Sequence, residues 1–452
     1  MGTRLLMANR GELALRVIRA ARALGIETVL AASAADRDSL PAREADRTVV
    51  IGAAQARESY LNAPRVIQAA LSTGCTALHP GYGFLSERPE FASLCAENDI
   101  AFVGPTAESM HQVGDKLASR VLARRVGIRM TNGSEKIDDV HSALEIAARI
   151  GYPVITKASA GGGGRGMAVA HDAAELKASF ETASIAAREA FGDGTLYLER
   201  FIERARHVEV QVMGDGAGRV VHFGERDCSA QRRYQKMIEE APATILSAEV
   251  RERLHRAAVE LLASIHYRSA GTVEFLYDEA SGEFYFMEVN ARLQVEHPVS
   301  EMITSTDLVR LQLSLATGAA SLPEQSEIRA QGHAIEVRVI AEDPRSGFRP
   351  SPGRITRWRP PSGEGVRLDT AVTEGTLIPP FYDSMIAKLI VSGSTRAAAL
   401  ERLRTALEQF EISGIATNLE LLRYVIDHSD FRANRIDTRW LERTVLPSFV
   451  NA

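Results

Sequence analysis

An α/β chain, α+β overall, is what this sequence predicts. Three observations carry the prediction. Strands and helices alternate over the first hundred residues, a run of four glycines separates two strands near residue 162, and a β-rich hairpin near residue 280 carries carboxylates on both arms. With roughly 150 residues to a domain, 452 residues make about three domains.

Apolar residues make up 45% and charged residues 25% of the chain, the balance of a folded globular protein and not of a disordered or fibrous one. The formal charge of −5 argues against a broad nucleic-acid or acidic-membrane surface. No stretch reaches the roughly 18 apolar residues a membrane helix needs. The first apolar run, Leu5 to Ala8, is too short for a signal-peptide core. Cys75, Cys95 and Cys228 are odd in number and lack C-x-x-C spacing, which fits free thiols in a reducing compartment. The expectation is a cytoplasmic protein that binds neither nucleic acid nor membrane.

Arg4 to Ala8 reads as a buried strand, Gly11 to Leu24 as a helix with Leu13, Val17 and Leu24 at helical spacing, and Glu27 to Ala32 as the next strand. Such a βαβ pattern implies a parallel sheet with ligands at the strand C-termini. The turn Asn9-Arg10-Gly11-Glu12 has a single glycine and is no G-x-G-x-x-G; a second loop, His79 to Phe84, follows a short strand at Thr76 to Leu78. A helix is expected from Lys116 to about Val126. Ile137 to Phe201 reads as a compact unit: helix, strand Pro153 to Lys157, glycine loop, strand Met167 to Ala170, helix, strand Thr195 to Phe201. Beyond Arg206 strands dominate, with one long helix at Ala248 to Ile265, and a last region opens at His333 and ends in helices from Thr395.

The loop Ala158 to Gly166 holds the tetraglycine Gly161 to Gly164. Free of side chains, its N–H groups can close on a phosphate chain, with Lys157 and Arg165 beside it. It lacks a G-K-[ST] ending and a hairpin follows instead of a helix, so it is not a Walker loop. In the second hairpin, a three-residue loop Ala280-Ser281-Gly282 with Gly282 left-handed would pair Glu279 with Glu283 and set Glu274 opposite Glu288, with Asn290 on the same face. Opposed carboxylates on apolar strands repel unless neutralised, and Mg²⁺ bound by carboxylates and phosphates is the natural answer. Just beyond, Arg292, Gln294 and Glu296 offer a cation, an amide and a carboxylate for a small oxyanion and its proton. His207, Glu209 and Gln211 share a face of a strand that reads equally as half-exposed. The cation-rich Glu225 to Lys236 reads as a solvated face, and His79 and His333 read as hydrogen-bonded structural residues.

In order along the chain, Ala8-Asn9-Arg10-Gly11-Glu12, His79 to Glu87, the tetraglycine loop, Glu225 to Arg233 and Arg292 to Pro298 together resemble the ATP-grasp ligases, and within them the biotin carboxylases. Ala341-Glu342-Asp343-Pro344 and Pro380 to Met385 resemble that family's C-terminal domain. The resemblance implies an N-terminal parallel-sheet domain at 1–115, an ATP-grasp domain at 116–332 with a small mobile glycine-loop lid at about 131–203, and a C-terminal mixed β domain at 333–452. It sets Lys116, Lys157, Gly163, Gly164, His207, Gln231 and Tyr234 at the nucleotide, with Glu199 and Ile202 on the strand that meets adenine. Glu274, Glu288 and Asn290 match the magnesium ligands, the two carboxylates thereby serving ATP as well. Lys236, Arg292, Gln294 and Val295 match the bicarbonate pocket, Glu296 the base, and Tyr82 and Arg338 positions near the biotin ureido ring.

The implied activity is ATP- and Mg²⁺-dependent carboxylation of biotin by bicarbonate through carboxyphosphate, the first half-reaction of an acyl-CoA carboxylase, with Mn²⁺ able to stand in for the metal. The sequence contains no Met-Lys-Met biotinylation site, so biotin carboxyl carrier protein and carboxyltransferase are expected on other chains, and the family implies a homodimer. Ala291 stands where the family commonly has Thr, Ser305-Thr306 where it has Gly-Val, and Ile128 to Gly133 where it is Pro-rich; none of these removes a charged group. A carbamoyl-phosphate or purine-pathway ligase would share the glycine loop and the hairpin, but not Arg292 to Pro298 together with Arg338. A non-catalytic ATP-binding protein would have lost a metal carboxylate or Glu296.

Overall fold

The computed structural model describes residues 2–159 and 167–451, so Gly163 and Gly164 of the glycine loop lie outside the described residues. Strand β1 (Arg4–Met7) is apolar on both faces and sits in the middle of a parallel sheet ordered β3-β2-β1-β4-β5. Its neighbours are β2 (Glu27–Ser33), β3 (Arg47–Gly52), β4 (Ala77–His79) and β5 (Ala101–Phe102). Leu13 and Val17 of the helix Gly11–Ala23 pack on Leu5, Met7 and Leu30. The strand order reverses at β1, so a crevice opens at the strand C-termini. There Asn9 Nδ2 donates to the carbonyls of Pro80 and Tyr82, both at 2.8 Å. Gly81 takes φ +68° at this junction, and an added Cβ would fall 2.4 Å from Leu13 Cδ2, so only glycine lets the two loops meet.

Strands β6 (Val154–Ala158), β7 (Ala168–Ala170) and β8 (Leu196–Arg200) form a small antiparallel sheet, β7-β6-β8, with the glycine loop between β6 and β7 as expected. The helices Val140–Ile150 and Ala173–Phe191 begin after Asp139 and Asp172, whose carboxylates accept backbone N–H groups of the first turn. These elements close an apolar core of their own around Ile137, Leu176, Phe180 and Leu198.

Eight further strands build one antiparallel sheet, and six short strands of the last third of the chain pair in three two-stranded sheets. The large sheet contains β9 (Ala205–Asp215), β10 (Val220–Arg232), β11 (Gln235–Ala241), β12 (Arg268–Asp278), β13 (Glu283–Asn290) and β14 (His333–Ile340), in the order β13-β12-β9-β10-β11-β14. Strands Met385–Gly393 and Val366–Thr370 extend it beyond β14, so backbone pairing runs unbroken into the last third of the chain.

Two expectations change. The stretch beyond Arg206 holds more than one helix: besides Ala248–Ala263, the helices His297–Thr304 and Leu308–Ala316 lie against the sheet. Pro298 in the first turn of one and Asp307 as N-cap of the other are their start signals. The cation-rich Glu225 to Arg232 is no solvated face; it belongs to β10 and is buried up to Gln231. His79 and His333 hold the structural roles expected of them, with Nε2 atoms 3.0 Å from Gln312 Oε1 and 2.9 Å from Glu240 Oε2. No helix among the described residues is long and apolar enough to cross a membrane.

Candidate active site

The hairpin β12–β13 opposes its carboxylates by a route the sequence does not show. Asp278 pairs Glu283 around a four-residue loop, Glu279 to Gly282, so the expected Glu279–Glu283 pair does not form. Pairing stays one residue out of the expected register as far as Phe275 and Phe286. A bulge between Glu274 and Phe275 then leaves Met287 unopposed and sets Glu274 against Glu288. Without that extra residue Glu288 would face Val273.

Glu274 is already neutralised. Its Oε1 lies 2.8 Å from Lys236 Nζ and accepts from Gln294 Nε2 at 3.2 Å, while Oε2 lies 2.9 Å from His207 Nε2. Burial alone would raise its carboxyl, but Lys236 and His207 outweigh that and hold it well below the ordinary range. Glu288 remains 32% exposed, with Lys116 Nζ 3.7 Å away. Asn290 Oδ1 accepts from Arg292 Nη2 at 3.0 Å. Glu274, Glu288 and Asn290 together present oxygen donors from two adjacent strands, a set that fits Mg²⁺ or Mn²⁺.

Lys236 is the hub of the buried charges, with Nζ 2.5 Å from Glu209 Oε2, 2.8 Å from Glu274 Oε1 and 2.7 Å from Glu296 Oε1. Burial opposes the ammonium charge, yet the three carboxylates hold it well above its ordinary value. Glu209 takes Arg226 Nε at 2.6 Å, and Arg226, fully buried, also donates to Gln211 and Ser300. Arg338 spans two carboxylates, from Nε to Glu239 Oε1 at 2.6 Å and from Nη2 to Glu296 Oε2 at 3.0 Å. Arg292 is fixed by Glu87 through Nε at 2.9 Å and by Gln294 through Nη1 at 2.5 Å.

Glu296 stands at the N-cap position of the helix His297–Thr304, an end that favours a negative charge, although its carboxylate bonds Lys236 and Arg338 and not the first-turn N–H groups. Burial would push its carboxyl up; Lys236, Arg338 and Arg226 prevail over burial and over the neighbouring Glu209, and it titrates below its ordinary value. Lys388 Nζ donates to the Val295 carbonyl at 2.9 Å and so fixes the loop that carries Glu296.

Lys236, Glu274, Glu288, Asn290, Arg292, Glu296 and Arg338 open onto one cavity of about 970 Å³. Every expected site residue within the described chain lines it. Tyr82 comes from the N-terminal sheet, its hydroxyl donating to Glu12. Lys157, Glu199 and Ile202 come from the side of the small sheet, Lys116 from the start of the helix Lys116–Arg125, and His207, Gln231 and Tyr234 from the central sheet. Lys157 Nζ lies 2.7 Å from Glu199 Oε2, and Arg120 pairs with the same carboxylate. Sequence reasoning missed Glu87, Arg226, Glu239 and Lys388 and left Glu209 without a task. Glu209 was visible two residues from His207 on one strand face; the burial of Arg226 and the partners of Glu239 depend on pairing between strands.

A small β-sheet and a carboxylate-bearing hairpin facing one cavity, with a glycine loop between the strands of the small sheet, define an ATP-grasp fold. Family models match in three segments: biotin carboxylase, N-terminal domain, over residues 1–110; carbamoyl-phosphate synthase L chain, ATP binding domain, over 115–325; and biotin carboxylase C-terminal domain over 336–443. Biotin carboxylase 1 of Bacillus subtilis is 46% identical over 440 residues, covering 97% of this chain and 98% of that protein. A pyruvate carboxylase subunit of Methanothermobacter thermautotrophicus is 45% identical over 443 residues, covering 98% and 90%. The crystal structure of the biotin carboxylase domain dimer of Hydrogenobacter thermophilus 2-oxoglutarate carboxylase, in complex with MgADP, ADP and bicarbonate, matches with a TM-score of 0.96 at 45% identity, covering 100% and 99%. This chain belongs to the biotin carboxylase family, ADP-forming ligases of the ATP-grasp fold.

Proposed function

We propose that this protein carboxylates the ureido nitrogen of biotin with bicarbonate, driven by ATP, through carboxyphosphate. The observation that carries the reading is Glu296 held between Lys236 and Arg338, a carboxylate kept ionised inside an anion pocket. Bicarbonate takes a place among Lys236, Arg292, Gln294 and the backbone of Val295. Glu296 removes its proton, and the oxyanion attacks the γ-phosphoryl group of ATP. Lys116 and Lys157 balance phosphate charge, the loop with Gly163 and Gly164 covers the phosphates, and His207, Gln231, Tyr234, Glu199 and Ile202 receive the rest of the nucleotide. Mg²⁺ at Glu274, Glu288 and Asn290 supplies charge neutralisation to the phosphates. Carboxyphosphate breaks down to CO₂ and phosphate, phosphate takes the ureido proton, and the nitrogen attacks CO₂. Arg338, turning from Glu296, donates to the ureido enolate beside Tyr82.

The division at 1–115, 116–332 and 333–452 belongs to this reading, with residues 131–203 closing over the nucleotide to keep water from carboxyphosphate. So do a biotin carboxyl carrier protein and a carboxyltransferase on other chains, a homodimer and a cytoplasmic setting. The Methanothermobacter thermautotrophicus relative, a subunit of a pyruvate carboxylase, and the dimer in the Hydrogenobacter thermophilus structure support the first two of these. The final acceptor in this reading is an acyl-CoA. A 2-oxo acid is the second reading, favoured by the pyruvate and 2-oxoglutarate carboxylases among the relatives. The test is ATP cleavage that requires bicarbonate and Mg²⁺ and is accelerated by free biotin; undiminished cleavage in bicarbonate-free buffer overturns the reading.

A further inference from the structure

Behind the cavity, β11 and β14 set a second pair of carboxylates face to face: Glu239 lies directly opposite Glu336 in the antiparallel register, and both are fully buried. Side chains so paired stand about 5 Å apart at Cβ. Glu239 Oε1 takes Arg338 Nε, but Glu239 Oε2 and both oxygens of Glu336 have no hydrogen-bond donor among the described residues. Two ionised carboxylates cannot sit there with three bare oxygens between them. The nearby cations do not resolve this. Arg338 is committed to Glu239 and Glu296, while Lys388, on the strand beyond β14, donates to the Val295 carbonyl and lies 3.4 Å from Glu12 and 3.7 Å from Asp369.

We infer that Glu336 is a carboxylic acid at neutral pH, that it donates its proton to Glu239 Oε2, and that it is thereby the positioning residue for Arg338. The proton belongs on Glu336 because Glu239 already accepts from a guanidinium, whereas Glu336 has no donor among the described residues. The hydrogen bond turns the Glu239 carboxylate so that its other oxygen, 2.6 Å from both Nε and Nη2, keeps the guanidinium anchored when it turns from Glu296 to the substrate. It also removes a negative charge from beneath the place where the biotin enolate develops. The charged and titratable groups around Glu336 are Glu239 on β11, Arg338 on its own strand, Lys388 on the next strand, Glu296 at the helix cap, and Tyr82 from the N-terminal sheet. Burial first, and then Glu239, push Glu336 well above the ordinary carboxyl range, with Lys388 and Arg338 opposing.

This inference rests on the role proposed for Arg338, so its test has one arm independent of that role. Infrared spectra of the wild-type protein minus those of Glu336→Gln at neutral pH are expected to show the carbonyl band of a protonated carboxylic acid, and titrating the wild-type band with alkali needs no variant. In the second arm, carboxybiotin formed per ATP cleaved is followed against pH, with melting temperatures alongside. Glu336→Gln keeps a donor to Glu239 and is expected to retain most of the ratio at neutral pH while its alkaline limb moves up by about one pH unit or more. Glu336→Leu has no donor and is expected to lose about 10-fold or more of the ratio, the scale of a misplaced catalytic group. Absence of the band, or an alkaline limb in Glu336→Gln identical to wild type, overturns the inference. An Arg338→Ala protein with an undiminished ratio instead overturns the reading of Arg338, whatever the band shows.

Discussion

Arg338 Nη2 lies 3.0 Å from Glu296 Oε2, so the cation proposed to hold the biotin enolate is paired, before any substrate arrives, with the carboxylate proposed to take the bicarbonate proton. From its place in the sequence the lesser reading of Arg338 is half of a structural ion pair with a neighbouring carboxylate. The structure supplies that pair twice over, to Glu239 and to Glu296, and the second partner faces the cavity. In the proposed reaction, protonation of Glu296 would weaken its hold on Arg338 at the stage when the guanidinium turns to the ureido oxygen.

Arg338→Ala is therefore expected to separate the half-reactions. Carboxybiotin formed per ATP cleaved should fall by about 10²–10³, the usual cost of losing a donor to a developing anion. Bicarbonate-dependent ATP cleavage without biotin should fall far less, because Lys236 and Arg292 remain. A lowered melting temperature with an unchanged ratio would leave only the structural pair.

Glu288→Gln should lose most activity and keep nucleotide affinity. Glu288 is the more exposed of the opposed carboxylates, with Lys116 3.7 Å from it, whereas Glu274 is saturated by Lys236, His207 and Gln294. Equilibrium binding of ADP with and without Mg²⁺ checks this: the variant should bind the free nucleotide much as wild type does and lose the gain from Mg²⁺. Normal turnover at low Mg²⁺ would remove the hairpin from the metal site.

How far the hairpin was legible shows where sequence reading stops. The opposition of Glu274 and Glu288 follows from two β-rich runs and a glycine turn, but the loop is longer than expected and a bulge at Met287 makes up the difference. Nothing in Phe284 to Asn290 marks which residue will be unopposed, since a bulge is set by what both strands pack against. Arg226 was misread for a related reason: a cluster of cations in sequence resembles a solvated face until Glu209, Gln211 and Ser300 arrive from other elements. Glu239 and Glu336 are nearly a hundred positions apart, and only the pairing of β11 with β14 makes them neighbours.

Arg226 should matter for stability as much as for catalysis. It is fully buried and neutralises Glu209 beneath Lys236. Arg226→Met leaves buried Glu209 with Lys236 as its one close cation and takes the donor from Gln211 and Ser300, and is expected to cost about 3 kcal/mol in urea unfolding. Arg226→Lys should recover only part of this, because a single ammonium cannot replace a fork that reaches Glu209, Gln211 and Ser300 at once.

Glu240 gives a stability prediction with a definite pH window. Burial opposes its ionisation, but hydrogen bonds from His333 and Arg396 outweigh it and bring the carboxyl down to about 2. A folded value below the ordinary 4.5 means the unfolded chain takes the proton first as pH falls. The stabilisation is thus complete above 4.5 and disappears between 4.5 and about 2, and that gap is worth about 3 kcal/mol. Glu240→Gln should be destabilised by about that much at neutral pH, and the difference from wild type should shrink below pH 4.5. A difference that stays constant with pH would show that packing, and not charge, is what Glu240 contributes.

The central claim is that this chain moves the carboxyl group of bicarbonate onto biotin, and the transfer of radiolabel from bicarbonate to free biotin measures it without a carrier or an acceptor. With ATP and Mg²⁺ present, acid-labile label should accumulate on biotin, should vanish when either is omitted, and should vanish with Glu296→Gln, whose side chain cannot take the proton. Bicarbonate-dependent ATP cleavage that never yields labelled biotin, with free biotin or with a biotinylated carrier, would contradict the account.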